Sequence, residues 1–345
     1  MDAIDREAGG LGQGRATPNR VFVLGGTGTI GQATVAALAA RGHAVTAFVR
    51  PRAGTGGRLA PDDTARLLPG ADLRFGDPTD PASLVHDGFR GERFDVLVSC
   101  LASRTGAPRD AWAIDHDAHV AALAAAKDAG VRHAVLLSAI CVQKPLLAFQ
   151  HAKLAFEAAL RASGLTWSIV RPTAYFKSLS GQIERVRAGR PFLVFGDGRL
   201  TACKPIADED LGDYIAGCLD DPARWNAILP IGGPGAAMTP LDQGELLFQA
   251  LGRSPRFRHV PVGLIDAIAG GLGALGRFNA RLAEKAELAR IGRYYATESM
   301  LVLDPETRRY DADATPSTGT RTLLDHYRRV LRGDAVVERG DHAVF

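Results

Sequence analysis

Short apolar runs rich in valine and leucine recur through the first half of the chain, at residues 21–24, 44–49, 94–100, 133–138 and 166–170, with a shorter one at 72–75. Runs of this length without polar alternation are the signature of strands buried on both faces. Between them the residue spacing predicts helices over 30–41, 80–88, 109–129 and 150–163, and the alternation of strand with helix predicts an α/β fold, a Rossmann-type doubly wound parallel sheet. Residues 51–70 read as a surface loop holding one helical turn. After residue 171 the regular alternation fades, which predicts a smaller C-terminal substrate-binding region laid over the carboxyl edge of the sheet. The boundaries that follow are a flexible tail over 1–19, a dinucleotide-binding domain over 20–175, a substrate-binding region over 176–330 interleaved with the sheet edge, and a second tail over 331–345.

The first apolar run leads into VFVLGGTGTIG (21–31) and then into the alanine-rich helix. Four glycines at 25, 26, 28 and 31 remove side chains where backbone must approach a pyrophosphate, and the following helix points its free N–H groups at the anion. Gly25, Thr27, Gly28, Thr29, Ile30 and Gly31 are therefore expected to contact a dinucleotide. About twenty residues on, where such folds often place an acid for the ribose 2′-hydroxyl, this chain reads VTAFVRPR, and Arg50 in that place predicts a 2′-phosphate and hence NADPH. Ligands of doubly wound sheets sit outside the carboxyl ends of the strands, which adds Asp77, Leu101, Ser138, Pro172 and Thr173 to the expected cofactor contacts.

The net charge of +3 is small and dispersed, so no nucleic-acid footprint is present. Cys100, Cys141, Cys203 and Cys218 form neither a CxxC pair nor a metal-ligand cluster; they read as small apolar residues in a reducing compartment, and no protein metal site is expected. The first twenty residues lack the apolar core of a signal sequence, and their acids argue against a transit peptide, so the expected location is the cytoplasm. No apolar run reaches the roughly eighteen residues of a spanning helix. The nearest, residues 261–278, is interrupted by Asp266 and five glycines; a packed helix is the default reading, with a mobile lid or peripheral contact with a photosynthetic membrane left open.

Short-chain reductases of this architecture pair a tyrosine with a lysine four residues later on the helix after the fifth strand, because the ammonium lowers the phenol's pKa and holds the nicotinamide ribose. Here that helix reads AFQHAKLAFEAAL: Lys153 is present, but the position four before it is Phe149. The chain keeps the cation and lacks the phenolic acid, which argues against ordinary carbonyl reduction and for hydride addition to a conjugated carbon–carbon double bond, where developing charge is delocalised. Lys153 and Tyr175 are the expected catalytic residues; His151 is a further nearby proton source but points away from Lys153 on the helix and reads as a surface residue.

With the glycine turn, Arg50 and the Phe149/Lys153 arrangement goes a set of more specific segments: RPTAYFKSLSGQ (171–182), a GDG hairpin within 192–211, GRYYATESMLV (292–302) and DADATPSTG (311–319). Over roughly 20–330 the chain resembles the atypical short-chain dehydrogenase/reductases of the isoflavone-reductase and NmrA-like kind, and within them the NADPH-dependent divinyl chlorophyllide a 8-vinyl-reductases. The resemblance implies reduction of the 8-vinyl group of a magnesium divinyl tetrapyrrole, chlorophyllide or protochlorophyllide, to ethyl in chlorophyll or bacteriochlorophyll synthesis. A flat macrocycle needs an apolar slot, for which Tyr175, Phe176, Phe195, Tyr294 and Tyr295 are candidates, with Arg171 or Lys177 as the anchor for a propionate. Three other readings stay open on the sequence: an NmrA-like NADP(H)-sensing regulator, a structural nucleotide-binding subunit of a respiratory assembly and an isoflavone-reductase-like enone reductase.

Overall fold

The computed structural model describes residues 18–53, 57–276 and 280–334. Its frame is a sheet of β1 (Arg20–Leu24), β2 (Ala44–Val49), β3 (Ala71–Phe75), β4 (Val96–Ser99), β5 (His133–Leu137), β6 (Thr166–Pro172) and β8 (Ala227–Ile231), in the order β3-β2-β1-β4-β5-β6-β8. Every pairing is parallel. The order reverses between β1 and β4, and that switch opens a crevice at the carboxyl ends of the strands. The apolar runs are apolar because both faces are covered: Val21, Val23, Val45, Ala47 and Val98 pack on one side, while Phe22, Leu24, Phe48, Leu97 and Leu136 pack on the other.

The helices that cover the sheet include α1 (Thr29–Ala40), α2 (His119–Asp128), α3 (Ala148–Arg161) and α4 (Asp208–Gly217). Two predicted helices are interrupted. The stretch expected over 109–129 is a short helix, Pro108–Ala111, then a π-helical turn, Trp112–Ala118, then α2; that expected over 80–88 is Pro81–Ser83 followed by a π turn, Leu84–Phe89. The wider turn at 112–118 carries Asp115 inward, leaving it 1% exposed. Residues 51–70 hold a helix, Pro61–Leu67, rather than a single turn.

The second half does more than cover the sheet edge. It supplies the seventh strand, β8, and α4, which lies against α1 so closely that a Cβ at Gly212 would stand 2.6 Å from the Ala33 carbonyl carbon. β7 (Phe192–Phe195) pairs in parallel with β9 (Phe257–Val260), so the Gly-Asp-Gly sequence after β7 is a turn and not the hairpin its spacing suggested. Then come α5 (Pro240–Ala250), α6 (Val262–Gly276), α7 (Ala280–Thr297), the short antiparallel pair β10 (Val302–Leu303) and β11 (Tyr310–Asp311), and α8 (Leu323–Arg332), which runs past the predicted boundary at 330. The 261–278 segment is largely α6, with Asp266 ion-paired to Arg293 of α7. Among the described residues no helix is long and apolar enough to cross a membrane.

Because the obstruction at Gly212 is backbone, which cannot rotate away, Gly212→Ala is expected to destabilise the fold by about 1–3 kcal/mol. Urea unfolding followed by circular dichroism checks this; a midpoint equal to that of the parent would show that α1 and α4 are not in such close contact.

Candidate functional site

The glycine turn is built where side chains cannot fit. Gly25 has φ +74°, and a Cβ there would lie 2.4 Å from the Leu101 amide nitrogen; one at Gly31 would lie 2.1 Å from the Gly25 carbonyl oxygen. The Gly28 N–H closes the turn onto the Gly25 carbonyl at 3.1 Å, and the first bond of α1 runs from the Gln32 N–H to the Gly28 carbonyl at 2.8 Å. The amides of Thr29, Ile30 and Gly31 are thus the unpaired donors of a helix start. Gly28 is the N-cap, no side chain caps it, and the first turn holds no acid. A phosphate fits this end: donors converge, the helix dipole favours an anion, and nothing negative from the helix itself competes. Thr27 flanks the turn, its carbonyl held by the Gln32 side chain at 2.9 Å.

A cation reaches the same place from the other half of the chain. Lys177 Nζ donates to Thr29 Oγ1 at 2.8 Å, 148 residues away in sequence. Beside it is Asp208, the first residue of α4, whose Oδ1 is buried without a hydrogen-bond partner among the described residues. Burial, reinforced by Glu209 and opposed by the Lys177 ammonium, pushes the Asp208 carboxyl up to about 6.

Arg50 follows β2 directly, is exposed, and has no ion-pair or hydrogen-bond partner among the described residues; the same holds for Arg52 and Arg58. Asp77, after β3, accepts from both the Thr79 N–H (2.9 Å) and hydroxyl (2.7 Å) through Oδ1 alone. Leu101 lies under Gly25, its N–H 3.4 Å from Ser99 Oγ. The Ser138 hydroxyl donates to Glu157 Oε1 at 2.6 Å and its N–H to the Val170 carbonyl at 2.7 Å, so both of its donors are committed within the fold. Pro172 and Thr173 are buried at the end of β6, with the Thr173 hydroxyl donating to the Lys204 carbonyl.

Arg171 does not project toward a ligand. Its guanidinium is bidentate to Glu157, with Nε 3.1 Å from Oε1, and this buried ion pair ties β6 to α3. It replaces the expectation of an anchor for a propionate at Arg171. Lys177, the other candidate for that anchor, is engaged at the glycine turn.

Lys153 Nζ donates to Asp115 Oδ1 at 3.0 Å; the lysine side chain is 11% exposed and the carboxylate 0%. Asp115 was not singled out from sequence, where an acid among Asp110, Asp115 and Asp117 looks like part of a solvated helix face. Phe149 packs with Ile140, Cys141, Ile291 and Met300. His151 is exposed. Tyr175 is partly buried, and its hydroxyl has no hydrogen-bond partner among the described residues. Burial raises its phenol well above the ordinary value, aided by Cys100, Cys141 and Asp208 nearby, so it stays protonated.

Among the other aromatic candidates, Phe176 packs in the cluster of Ile183, Phe192 and Tyr327, and Tyr294 is 3% exposed with its hydroxyl donating to the Cys141 (2.9 Å) and Lys144 (3.1 Å) carbonyls. Those two are structural. Phe195 is partly buried. Tyr295 is 41% exposed, lies edge-on to Tyr294 with ring centroids 5.8 Å apart, and has the Cys141 thiol and the Tyr175 phenol as neighbours. A separate cavity of about 320 Å³, lined by Asn19, Asp95, Arg132, His133 and Trp225 among others, lies at the amino ends of the strands, away from all of these groups.

The segment 298–316 is bonded to the stretches that follow β5, β7 and β8. Lys144 Nζ pairs with Glu298 at 2.7 Å, the Tyr310 hydroxyl donates to the same carboxylate at 2.7 Å, and the Leu303 N–H donates to Gln143 Oε1 at 2.8 Å. Lys204 Nζ reaches the Thr315 carbonyl at 2.8 Å, and the Gly232 N–H donates to the Pro316 carbonyl at 2.8 Å. The segment after β5 and the turn after β8 are thereby fixed by the C-terminal third.

Residues 25–222 match the NAD(P)H-binding family. The chain is 50% identical over 331 residues to the chloroplastic divinyl chlorophyllide a 8-vinyl-reductase of Oryza sativa subsp. indica, covering 94% of this chain and 82% of that protein. To the Arabidopsis thaliana enzyme of the same name it is 48% identical over 332 residues, 93% of this chain and 79% of the relative. The chain belongs to the divinyl chlorophyllide a 8-vinyl-reductase family. Its fold is shared with isoflavone reductase (TM-score 0.63, 18% identity, 91% of this chain and 100% of that one) and with an Escherichia coli NADPH-dependent quinone oxidoreductase bound to NADPH (TM-score 0.64, 17% identity, 90% and 99%). The NAD(P)H-binding match gives this member of the vinyl-reductase family a nicotinamide cofactor.

The Asp208 carboxyl gives the vinyl-reductase fold a pH-dependent stability. Its folded value of about 6 lies above the ordinary 3.8, so the folded state holds a proton that the unfolded chain releases. The stability this contributes is complete below about pH 4 and is lost as pH rises through about 6. Asp208→Asn is expected to flatten that slope and to be more stable than the parent at pH 7–8 by about 1–2 kcal/mol, measured by denaturant unfolding across pH 4–8. A variant with an unchanged slope would contradict the assignment.

Proposed function

We propose that the protein uses NADPH to reduce the 8-vinyl group of a divinyl chlorophyllide or protochlorophyllide to ethyl. The observation that carries this reading is an identity of about half, along nearly the whole chain, to divinyl chlorophyllide a 8-vinyl-reductases. The site supports it from below: a cation at Lys153, an apolar Phe149 where a carbonyl reductase would place its phenol, and a protonated Tyr175 nearby.

When bound, NADPH supplies the hydride. In this reading the amides of Thr29, Ile30 and Gly31 hold the pyrophosphate, with Thr27, Gly28 and Lys177 alongside, and Arg50 takes the 2′-phosphate. Asp77 and Leu101 border the adenosine side; the backbone at Ser138, Pro172 and Thr173 borders the nicotinamide side, where the Lys153 ammonium holds the ribose. Hydride addition to the terminal vinyl carbon leaves charge spread over the macrocycle, so no oxyanion needs immediate protonation, and Tyr175 delivers the proton to the adjacent carbon. A phenol kept neutral by burial can do this across the working pH range. Tyr295 forms part of the apolar wall against the ring. Peripheral contact with a pigment-bearing membrane belongs to α6, where Leu264 is 52% exposed.

Incubation of the full chain with NADPH and divinyl chlorophyllide a tests the reading. A blue shift of the Soret band as the vinyl group is lost is expected; NADPH binding with no shift would point to a sensor and overturn it. Arg50→Ala is expected to weaken NADPH binding by roughly 10–100-fold, from the 1.5–3 kcal/mol of a charge-assisted contact, while leaving NADH nearly unchanged; equal losses would remove the 2′-phosphate assignment. Tyr175→Phe is expected to lower kcat about 100-fold with NADPH affinity preserved, as loss of a general acid does; an unchanged kcat would move the proton source elsewhere.

A further inference from the structure

A phenol–lysine pair does two things for its lysine: it fixes where the ammonium sits and it keeps the pair's proton in play. In this chain Phe149 does neither. Its ring is turned into the cluster of Ile140, Cys141, Ile291 and Met300, and the room beside it is left by Gly106, whose Cβ would lie 3.4 Å from Phe149 Cδ1. The Lys153 ammonium is held instead by Asp115 at 3.0 Å.

The setting of Asp115 is unusual for an acid. It is 1% exposed on the π-helical turn Trp112–Ala118, a widened turn of the kind that recurs at functional sites. Oδ1 takes both the Lys153 ammonium and the Ser103 N–H (3.2 Å), while Oδ2 is buried with no partner among the described residues. A carboxylate desolvated to this degree with one oxygen empty is costly to keep, and replacing such a pair by apolar residues is often neutral or stabilising. The neighbouring titratable groups do not share the load. His119 is pushed down to about 4 by burial and is neutral, its Nδ1 2.7 Å from the Ile114 carbonyl and its Nε2 2.8 Å from Ser99 Oγ. Cys141, which also faces Lys153, has its thiol pushed up by burial and stays protonated. Lys153 is the sole cation bound to Asp115 among the described residues.

We infer that Asp115 is the positioning residue of this site: its carboxylate, tied to the Ser103 N–H after β4, holds the Lys153 ammonium in place, the task that a phenol at position 149 would otherwise share. The inference rests on the reading that Lys153 touches the nicotinamide ribose. It adds a residue 38 positions away in sequence on which the cofactor's affinity depends.

The test is Asp115→Asn in the full chain, an exchange that keeps the acceptor for the Ser103 N–H and removes the charge. NADPH fluorescence titrations and steady-state turnover of divinyl chlorophyllide a are followed at pH 8. With the carboxylate gone, NADPH affinity and kcat are each expected to fall at least 10-fold, and Asp115→Glu, which returns the charge, is expected to recover part of both. In a Lys153→Met background the Asn exchange is expected to add no further loss. An unchanged NADPH affinity, an Asp115→Glu variant no better than Asp115→Asn, or losses that add in full to those of Lys153→Met, would overturn the inference. Should Asp115→Asn alone not fold, the double variant must melt above Lys153→Met alone, since it removes the uncompensated buried charge; a lower melting temperature would overturn the pairing. Parent protein that binds NADPH but leaves divinyl chlorophyllide untouched would sink the vinyl-reductase reading, and the NADPH affinities of the variants would still decide the role of Asp115.

Discussion

Backbone lies against backbone at the switch between β1 and β4, and the rest of the structure is arranged around that contact. Gly25 sits on the Cys100–Leu101 peptide and Gly31 on the Gly25 carbonyl at distances that exclude any Cβ. Only that closeness brings the first amides of α1 to the mouth of the crevice unpaired, with no side chain or acid in front of them. An anion is then favoured there by dipole and donors together. A nicotinamide cofactor, the ligand of the NAD(P)H-binding family that residues 25–222 match, carries such an anion in its pyrophosphate.

The second half of the chain turns a nucleotide fold into a specific crevice. Lys177 reaches into the first turn of α1, and Glu298, Tyr294 and Tyr310 fix the segment after β5 through Lys144 and its neighbours. Asp210, 5% exposed, binds the Thr320 and Arg321 amides (3.2 and 3.1 Å) and draws the chain back over α4. Apart from the Tyr310–Glu298 bond, these are contacts between residues more than a hundred positions apart, each buried or partly buried, so they hold the crevice as one unit with the sheet. The aromatic residues serve that packing more than they serve a ligand: Phe176 and Tyr294 are core, and Tyr295 faces the open space.

Most of the sheet was legible in the sequence because β1, β2, β4, β5 and the middle of β6 are covered on both faces, and their runs are therefore continuous; β3, at the other edge with Asp72 exposed, showed only as a shorter run. β8 escaped because it is an edge strand: Pro230 interrupts its ladder where no further strand needs the missing N–H, and Ile228 is 37% exposed. Lys153 was visible by its place on the helix after the fifth strand, whereas Asp115 was not, since a lone acid at helical spacing carries no mark of burial until the π turn rotates it inward. Arg171 and Ser138 stood at strand ends where ligands bind, but Glu157, on the helix behind them, claims both side chains. The C-terminal blocks stood out as specific segments; what they hold could be learned only from the three-dimensional pairing of 292–316 with 140–144, 204 and 232.

The central claim is that this crevice brings the reducing end of NADPH against the vinyl group of a tetrapyrrole. Isotope transfer tests it most directly: the protein is supplied with NADPH deuterated at the transferred position of the nicotinamide and with divinyl chlorophyllide a, and the product is read by mass spectrometry and NMR. One deuterium on the terminal carbon of the new 8-ethyl group is the predicted result. A product without label, or label only on the inner carbon, would contradict the account.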